Sequence, residues 1–169
     1  MKVYLASRFS RKEEMAKKVE ELHDLNIEVT SRWLFENAPG NAKLKDYDDA
    51  YLLNTATVDI EDIEKADTFV LFSESPDEAF VRGGRHWETG YAYARNKRII
   101  IVGPKENIFH YFPECTVVDN WKAARKLLAE YRHAETRNQI RYRQAAYGSD
   151  SYTTVNVTGG RVYQGSPQI

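Results

Sequence analysis

The order of apolar runs and helical patterns within residues 1–30 constrains the fold of this chain more than any other feature. Residues 3–6 form a short apolar run that is typical of a buried strand. Ser10 and Glu13 then make a capping-box pattern, which predicts a helix running to about Leu25. Residues 27–30 alternate like a second strand. A strand, a helix and a strand in this order predict the start of a parallel α/β sheet.

The same alternation continues along the chain. Apolar runs predict three further strands, over residues 68–73, 98–102 and 116–118. Helical patterns flank these runs, over residues 47–65, 85–96 and from about 119 into the 130s or 140s. The sequence therefore predicts an α/β domain with five strands.

The last residues differ in composition from the rest. Residues 148–169 are rich in Ser, Thr, Gly, Tyr and Gln and poor in aliphatic side chains. Two β-prone runs, 152–157 and 161–164, flank Thr158-Gly159-Gly160, which is a hairpin pattern, although such a composition is also compatible with disorder. We therefore divide the chain into a domain over residues 1–145 and a polar tail or hairpin over 146–169 that can clasp a partner subunit.

Charge and cysteine content exclude several classes of function. The chain has 24 Lys and Arg against 25 Asp and Glu, a net charge of −1, which argues against a nucleic-acid polymer as partner and against a polybasic membrane anchor. The single cysteine, Cys115, excludes an intrachain disulfide and a cysteine-based zinc site, and the histidines lack metal-ligand spacing. Apolar runs fall far short of the ~20 residues needed to span a bilayer. We expect a cytoplasmic domain without metal or cofactor.

The segment over residues 82–92 carries the most chemical information. Gly83 and Gly84 let the backbone come close to a ligand at the start of a predicted helix. Glu88 is expected in the first turn of that helix, where the macrodipole favours an ionised carboxylate. Such a carboxylate is suited to attack an electrophilic carbon such as a sugar C1′. The alternative is that Glu88 is only a charge at a helix terminus.

A second acidic group precedes the strand predicted over residues 68–73. Asp59 and Asp62 lie three positions apart, so both can face the same side of a helix. They form the second candidate group of carboxylates, on a helix pattern that leads directly into that strand. The alternative is an acidic face in contact with solvent.

Polar and basic residues surround the first helix terminus. Ser7, Arg8, Ser10 and Arg11 lie where a helix N-terminus favours an anion. No glycine-rich fingerprint is present there, so neither a dinucleotide site nor a P-loop is supported. Arg82 and Arg85 can add positive charge, and His86 can orient or protonate a leaving group, or simply cap the helix.

With these elements in this order, the chain resembles the nucleoside 2-deoxyribosyltransferase-like family, including its deoxynucleoside 5′-monophosphate N-glycosidase branch. The resemblance spans about residues 2–128. The matching stretches are residues 3–8, 30–34, 59–63, 82–92, 96–98 and 103–107.

The resemblance implies a flavodoxin-like Rossmann fold, with a five-stranded parallel sheet and helices on both faces, and scission of an N-glycosidic bond. The family's nucleophilic glutamate, in the pattern G-x-E-x-G-x-A, falls on Glu88, with His86 in place of the usual small residue. Its aspartate, which handles the proton of the departing base, falls on Asp59. Its first-strand tyrosine, which orients the nucleophile, falls on Tyr4.

One departure from the family leaves the substrate open. The family carries a base-binding aspartate or a phosphate-binding serine six positions before the nucleophile, and this chain has Arg82. An arginine cannot replace the aspartate but can hold a phosphate. Transfer or hydrolysis, and nucleoside or 5′-monophosphate, therefore stay open. The substrate-binding residues we expect are Ser7, Arg8, Arg82, Gly83, Gly84 and His86.

The resemblance also implies a homodimer or a larger assembly of this chain around a small nucleoside or nucleotide ligand. Two other functions are compatible with the sequence. One is a nucleotide-binding or sensor module without catalysis. The other is a glycohydrolase that acts on ribosides or on NAD-like nucleotides.

Overall fold

A computed structural model describes residues 1–36, 44–75 and 83–147. Its centre is a parallel sheet in the strand order β2-β1-β3-β4-β5. The strands are β1 (Lys2–Ala6), β2 (Glu28–Val29), β3 (Thr68–Phe72), β4 (Arg98–Val102) and β5 (Cys115–Val118). The predicted α/β class with a five-stranded parallel sheet is confirmed.

Helices and short 3₁₀ turns connect the strands. The helices are α1 (Lys12–His23), α2 (Asp49–Lys65), α3 (Gly84–Ala94) and α4 (Trp121–Tyr147). The 3₁₀ turns are Phe9–Arg11, Arg32–Phe35, Leu44–Asp46 and Ile108–Tyr111. Residues 1–136 form one compact unit, and the sheet lies within it. Residues 148–169 of the predicted tail lie outside the described residues.

The strands are apolar because both faces of the sheet are covered. Every residue of β3 is buried, as are four of the five residues of β1 and of β4. If one face of the sheet were exposed to solvent, only alternate residues of each strand would be buried. Continuous burial therefore requires packing on both faces. The core around these strands contains large, fully buried side chains such as Phe69 and Phe72.

The start of α1 differs from the prediction. No side chain caps this helix, so the expected capping box of Ser10 and Glu13 is wrong. The residues Phe9–Arg11 form a 3₁₀ turn first, which moves the α-helical start to Lys12. The Arg11 guanidinium instead binds Glu14 in the first turn, at 2.7 and 3.0 Å.

The strand order creates a crevice at one edge of the sheet. β1 connects through α1 to β2 on one side, whereas β3 connects through α3 to β4 on the other. The two crossovers therefore diverge at the carboxyl ends of β1 and β3, where open α/β sheets bind ligands. Tyr4 of β1 pairs in register with Phe69 of β3 next to this point.

Candidate active site

The hydroxyl of Tyr4 contacts the carboxyl of Glu88. Tyr4 Oη donates to Glu88 Oε1 at 3.2 Å, and the Tyr4 ring is fully buried against Phe69 with ring centroids 5.5 Å apart. Burial and the charges of Glu88 and Asp59 raise the pKa of Tyr4 well above 10.0. The hydroxyl therefore keeps its proton and can donate it in a hydrogen bond.

Glu88 lies just past the first turn of α3, since this helix begins at Gly84. Burial and the charge of Asp59 raise the pKa of Glu88 from 4.5 to about 7, and the Tyr4 hydrogen bond and the charge of Arg85 oppose that rise. Glu88 thus lies slightly beyond the first turn in which we expected it, and the helix terminus does not hold its pKa low. Desolvation at the buried carboxyl outweighs the helix dipole, which acts only within the first turn.

Asp59 is the second titrating carboxyl of the site. Its Oδ1 atom is buried and has no hydrogen-bond partner among the described residues. Burial, and then the charges of Glu36 and Asp62, raise its pKa from 3.8 to about 7. The Tyr4 hydroxyl and the charge of Arg32 oppose this rise. The structure thus brings Tyr4, Asp59 and Glu88 close enough together to shift one another's proton affinity.

Asp62 lies on α2 beside Asp59 but has a different environment. It is 1% exposed, and its two oxygens accept the backbone N–H of Arg32 at 2.8 Å and Arg32 Nε at 2.7 Å. Glu61, next to it in sequence, is exposed and pairs with the outer side of the same guanidinium at 2.7 Å. The reading of this segment as an acidic surface holds for Glu61 and fails for Asp62.

The residues expected to form an anion site around α1 already face a carboxylate. Arg8 Nη1 donates to Glu74 Oε2 at 3.2 Å, and Arg11 Nη1 donates to Glu74 Oε1 at 3.0 Å. The Oγ of Ser7 is buried without a hydrogen-bond partner in the described part of the chain. In the described part of the chain, the first loop therefore offers the buried Ser7 hydroxyl and two arginines whose charges are largely balanced by Glu74 and Glu14.

The glycine pair before Glu88 leaves open space at the start of α3. Among the described residues, and apart from chain neighbours and the backbone of α3 itself, no atom lies within 4 Å of the position a Cβ would take at Gly83 or Gly84. Gly83 has a φ of −68°, so other residues could adopt its backbone conformation. Open space therefore separates this helix start from other side chains, as a ligand site requires. Arg82, the preceding candidate, lies outside the described residues.

Arg85 and His86 both contact Glu106, in the loop after β4. Arg85 is buried and its Nη2 donates to Glu106 Oε2 at 2.7 Å, while His86 Nε2 lies 3.1 Å from the same oxygen. His86 Nδ1 lies 3.2 Å from the Asn107 amide nitrogen. Positions 86 and 88 point about 200° apart around a helix. The structure thus places His86 on the opposite flank of α3 from Glu88.

Three acidic residues of this region did not stand out from the sequence: Glu36, Glu74 and Glu106. Glu74 and Glu106 follow β3 and β4 at the carboxyl edge of the sheet. Glu74 comes directly after the strand predicted over 68–73 and Glu106 four positions after the strand predicted over 98–102, which is the signal that could have found these two. Glu36 follows the Arg32–Phe35 turn, and no sequence pattern indicated its proximity to Asp59.

Within the described residues, no group of three or more His, Cys, Asp or Glu side chains is arranged to hold a metal ion. Over the same residues, no helix is both long and apolar enough to cross a bilayer.

Comparison with known proteins supports the fold. No family model matches the sequence, and no curated protein matches it. A crystal structure of a conserved protein from Enterococcus faecalis V583 is similar over 80% of this chain and 98% of that chain, with 18% identity and a TM-score of 0.51. The CMP N-glycosidase BcmB from Clostridium botulinum matches over 76% of this chain and 98% of that chain, with 20% identity and a TM-score of 0.49. At 18% identity, the likeness to the Enterococcus protein shows a shared fold alone.

Proposed function

We propose that the protein cleaves the N-glycosidic bond of a 2′-deoxynucleoside or its 5′-monophosphate through a covalent deoxyribosyl ester of Glu88. The observation that carries this proposal is the hydrogen bond from Tyr4 to Glu88 beside Asp59, whose buried Oδ1 has no hydrogen-bond partner among the described residues. The substrate class follows from the sequence resemblance, which matches these three residues to a nucleophile, an acid and an orienting tyrosine.

The two carboxyl groups are tuned to share one proton near neutral pH. Both have pKa values of about 7, and the charge of Asp59 raises that of Glu88. When one ionises, the second ionises less readily, so the pair titrates in two steps. Tyr4 favours the ionised form of both groups, Arg85 favours ionised Glu88 and Arg32 favours ionised Asp59, whereas Glu36 and Asp62 favour protonated Asp59. Because the two pKa values are alike, we assign the proton to Asp59 and the charge to Glu88 on the roles that the sequence resemblance implies.

In the first step a carboxylate oxygen of Glu88 forms a bond to C1′ of the sugar. The bond from C1′ to the base nitrogen breaks, and its electron pair leaves with the base. Asp59 gives its proton to the departing base, so that the leaving group is neutral. Tyr4 holds the attacking carboxylate in place through its hydrogen bond. This division of work between two carboxyl groups is that of retaining glycosidases.

The second step releases the sugar from Glu88. Water or a second base attacks C1′, and the ionised Asp59 removes the proton from that nucleophile. Glu88 leaves as a carboxylate, which restores the starting protonation of the pair. Water gives hydrolysis and a second base gives transfer, and both use the same residues.

The start of α3 and the first loop are the surfaces we assign to the sugar and its 5′ group. Within the described part of the structure, Gly83 and Gly84 leave open space one turn before Glu88, and Ser7 Oγ has no hydrogen-bond partner. Arg8 and Arg82 complete the predicted binding set. Because Arg8 already donates a hydrogen bond to Glu74, a phosphate at Arg8 would have to compete with that carboxylate.

We also propose that the protein forms a homodimer or a larger assembly. An aromatic surface lies on the flank of α3 opposite Glu88, around a cavity of about 570 Å³. The exposed aromatic side chains that line it are Trp87, Tyr93, Phe109 and Phe112. A surface this apolar is typical of an interface.

A substrate panel tests the proposed activity. We expect base release from at least one 2′-deoxynucleoside or its 5′-monophosphate, followed by chromatography with and without an acceptor base. Ribosides and an NAD-like nucleotide complete the panel. Glu88→Gln should abolish release, whereas Glu13→Gln, at an exposed position on α1, should not change it. Binding without base release would favour a sensor, and release from ribosides alone would favour the riboside glycohydrolase.

A further inference from the structure

Asp59 and Asp62 both lie on α2, but the hydrogen bonding of their carboxyl groups differs. Asp62 has both oxygens committed to Arg32, whereas Asp59 Oδ1 has no partner among the described residues. The Asp62 contact joins α2 to the Arg32–Phe35 turn, and Arg32 Nη2 also donates to the Val58 carbonyl at 3.3 Å. A buried carboxylate bound by two donors of one residue is a rigid link between two elements.

The turn held by Asp62 is also bonded to β1. Ser31 Oγ accepts from the backbone N–H of Leu5 at 2.6 Å and donates to the Leu5 carbonyl oxygen at 3.2 Å. Trp33 Nε1 donates to the same carbonyl at 2.9 Å. Leu5 follows Tyr4 in β1. Through this turn, the helix that carries Asp59 is tied to the strand that carries Tyr4.

We infer that Asp62 and Arg32 are a positioning pair that holds Asp59 beside Tyr4. The inference rests on the proposed function for its catalytic meaning and on the contacts above for its geometry. Asp62 acts through Arg32 and the turn, and Asp59 acts on the substrate. The charged and titratable groups around Asp59 are Tyr4 of β1, Arg32 and Glu36 of the turn region, Asp62 of α2 and Glu88 of α3.

The two members of the pair affect Asp59 in opposite directions. Asp62 raises the pKa of Asp59 and Arg32 lowers it. Asp62→Asn removes the negative charge and leaves the Arg32 charge without its buried partner, so the Asp59 titration should move to lower pH. Arg32→Gln removes the positive charge and should move it to higher pH. Shifts of at least about half a pH unit are expected for a unit charge this near.

The test is a carboxyl titration followed by NMR on the full chain labelled with ¹³C at the aspartate side chains. Asp59→Asn assigns the Asp59 signal. We expect a downward shift in Asp62→Asn, an upward shift in Arg32→Gln, and none in Glu61→Gln. This last variant is the matched control, because Glu61 contacts the same guanidinium from the exposed side. Equal midpoints in wild type and Asp62→Asn, or shifts of the same sign in both variants, would overturn the inference.

Enzyme kinetics separate this inference from the proposed function. If the protein releases base, the alkaline limb of kcat should move with the Asp59 titration while KM stays constant, which a purely structural role would not produce. If no substrate is turned over but the titration shifts appear, the proposed function fails and the positioning pair stands. If Asp62→Asn does not fold, the titration of Arg32→Gln decides, and an unchanged midpoint there overturns the inference.

Discussion

Tyr4 and Glu88 are 84 positions apart in the chain, and the Tyr4 hydroxyl donates to Glu88 Oε1 at 3.2 Å. The contact joins the first strand to the helix after the third strand at the switch point of the sheet. A buried phenol that keeps its proton is a fixed donor, so it favours the ionised form of Glu88. Together with the carboxyl of Asp59 beside it, this contact defines the chemistry of the candidate site.

Replacing Tyr4 by Phe removes this donor without changing the packed ring. Hydrogen bonds to charged groups contribute about 1.5–3 kcal/mol, so we expect kcat to fall about 10- to 100-fold. The pKa of Glu88 should rise, which moves the acid limb of the pH profile to higher pH. Tyr142→Phe, at an exposed position on α4, is the control. Equal acid limbs in wild type and Tyr4→Phe would contradict this role of Tyr4.

The rate of base release should show a maximum near pH 7. Glu88 must be ionised and Asp59 protonated, and both pKa values are about 7. Activity should fall at low pH, where both carboxyls are protonated, and at high pH, where both are ionised. A rate that is constant between pH 5 and 9, measured under kcat conditions, would show that this pair does not control the step.

Replacing Asp59 by Asn should affect substrates according to their leaving group. Release of an ordinary base needs a proton, and general acids contribute about 10²- to 10⁴-fold. A deoxyriboside whose leaving group is stable as an anion needs no proton and should lose much less activity. Comparison of the two substrate types by chromatography measures this difference. Equal losses for both would exclude an acid role for Asp59.

Glu88→Gln should stabilise the protein at alkaline pH. The folded protein holds a proton on Glu88 up to about pH 7, whereas the unfolded chain releases it near 4.5. The free energy of unfolding of the wild type therefore falls as pH rises from about 4.5 to 7. The glutamine side chain does not ionise, so the variant does not lose stability in this way. We expect its free energy of unfolding to exceed that of the wild type by at least about 1 kcal/mol at pH 8. At pH 4 the two proteins should differ little, and denaturant unfolding at both pH values provides the measurement.

Charge on the aromatic surface should weaken the proposed assembly. Phe109 is 59% exposed beside the cavity, so Phe109→Glu places a carboxylate inside the proposed interface. We expect a lower mass in solution by light scattering. Leu53→Glu is the matched control, since Leu53 is 70% exposed on α2 and outside this surface. An unchanged mass in Phe109→Glu would remove this surface from the interface.

The strands were predictable because their apolar runs are continuous and local. β3 and β4 lie within one residue of the runs predicted over 68–73 and 98–102. β2 is shorter than its predicted run, since only Glu28–Val29 pair with β1. The start of α1 was missed because the 3₁₀ turn before it satisfies backbone groups that a cap would otherwise bind.

The site was predictable only in part. Tyr4, Asp59 and Glu88 were named from their motifs, but the carboxylates that balance the arginines were not. Arg8 pairs with Glu74 at a separation of 66 positions, and Arg85 pairs with Glu106 at a separation of 21. These pairs depend on which strand ends are neighbours, and no local pattern gives the strand order. The raised pKa of Glu88 depends on burial, which the sequence also does not show.

The most direct test of the account is a search for the covalent intermediate. The protein is mixed with a deoxynucleoside that it cleaves, and the reaction is quenched in acid. Intact-protein and peptide mass spectrometry then identify any adduct. We predict a deoxyribosyl adduct on the peptide that contains Glu88, present in wild type and absent in Glu88→Gln. Turnover with no adduct, or an adduct on another residue, would contradict the assignment of Glu88 as nucleophile.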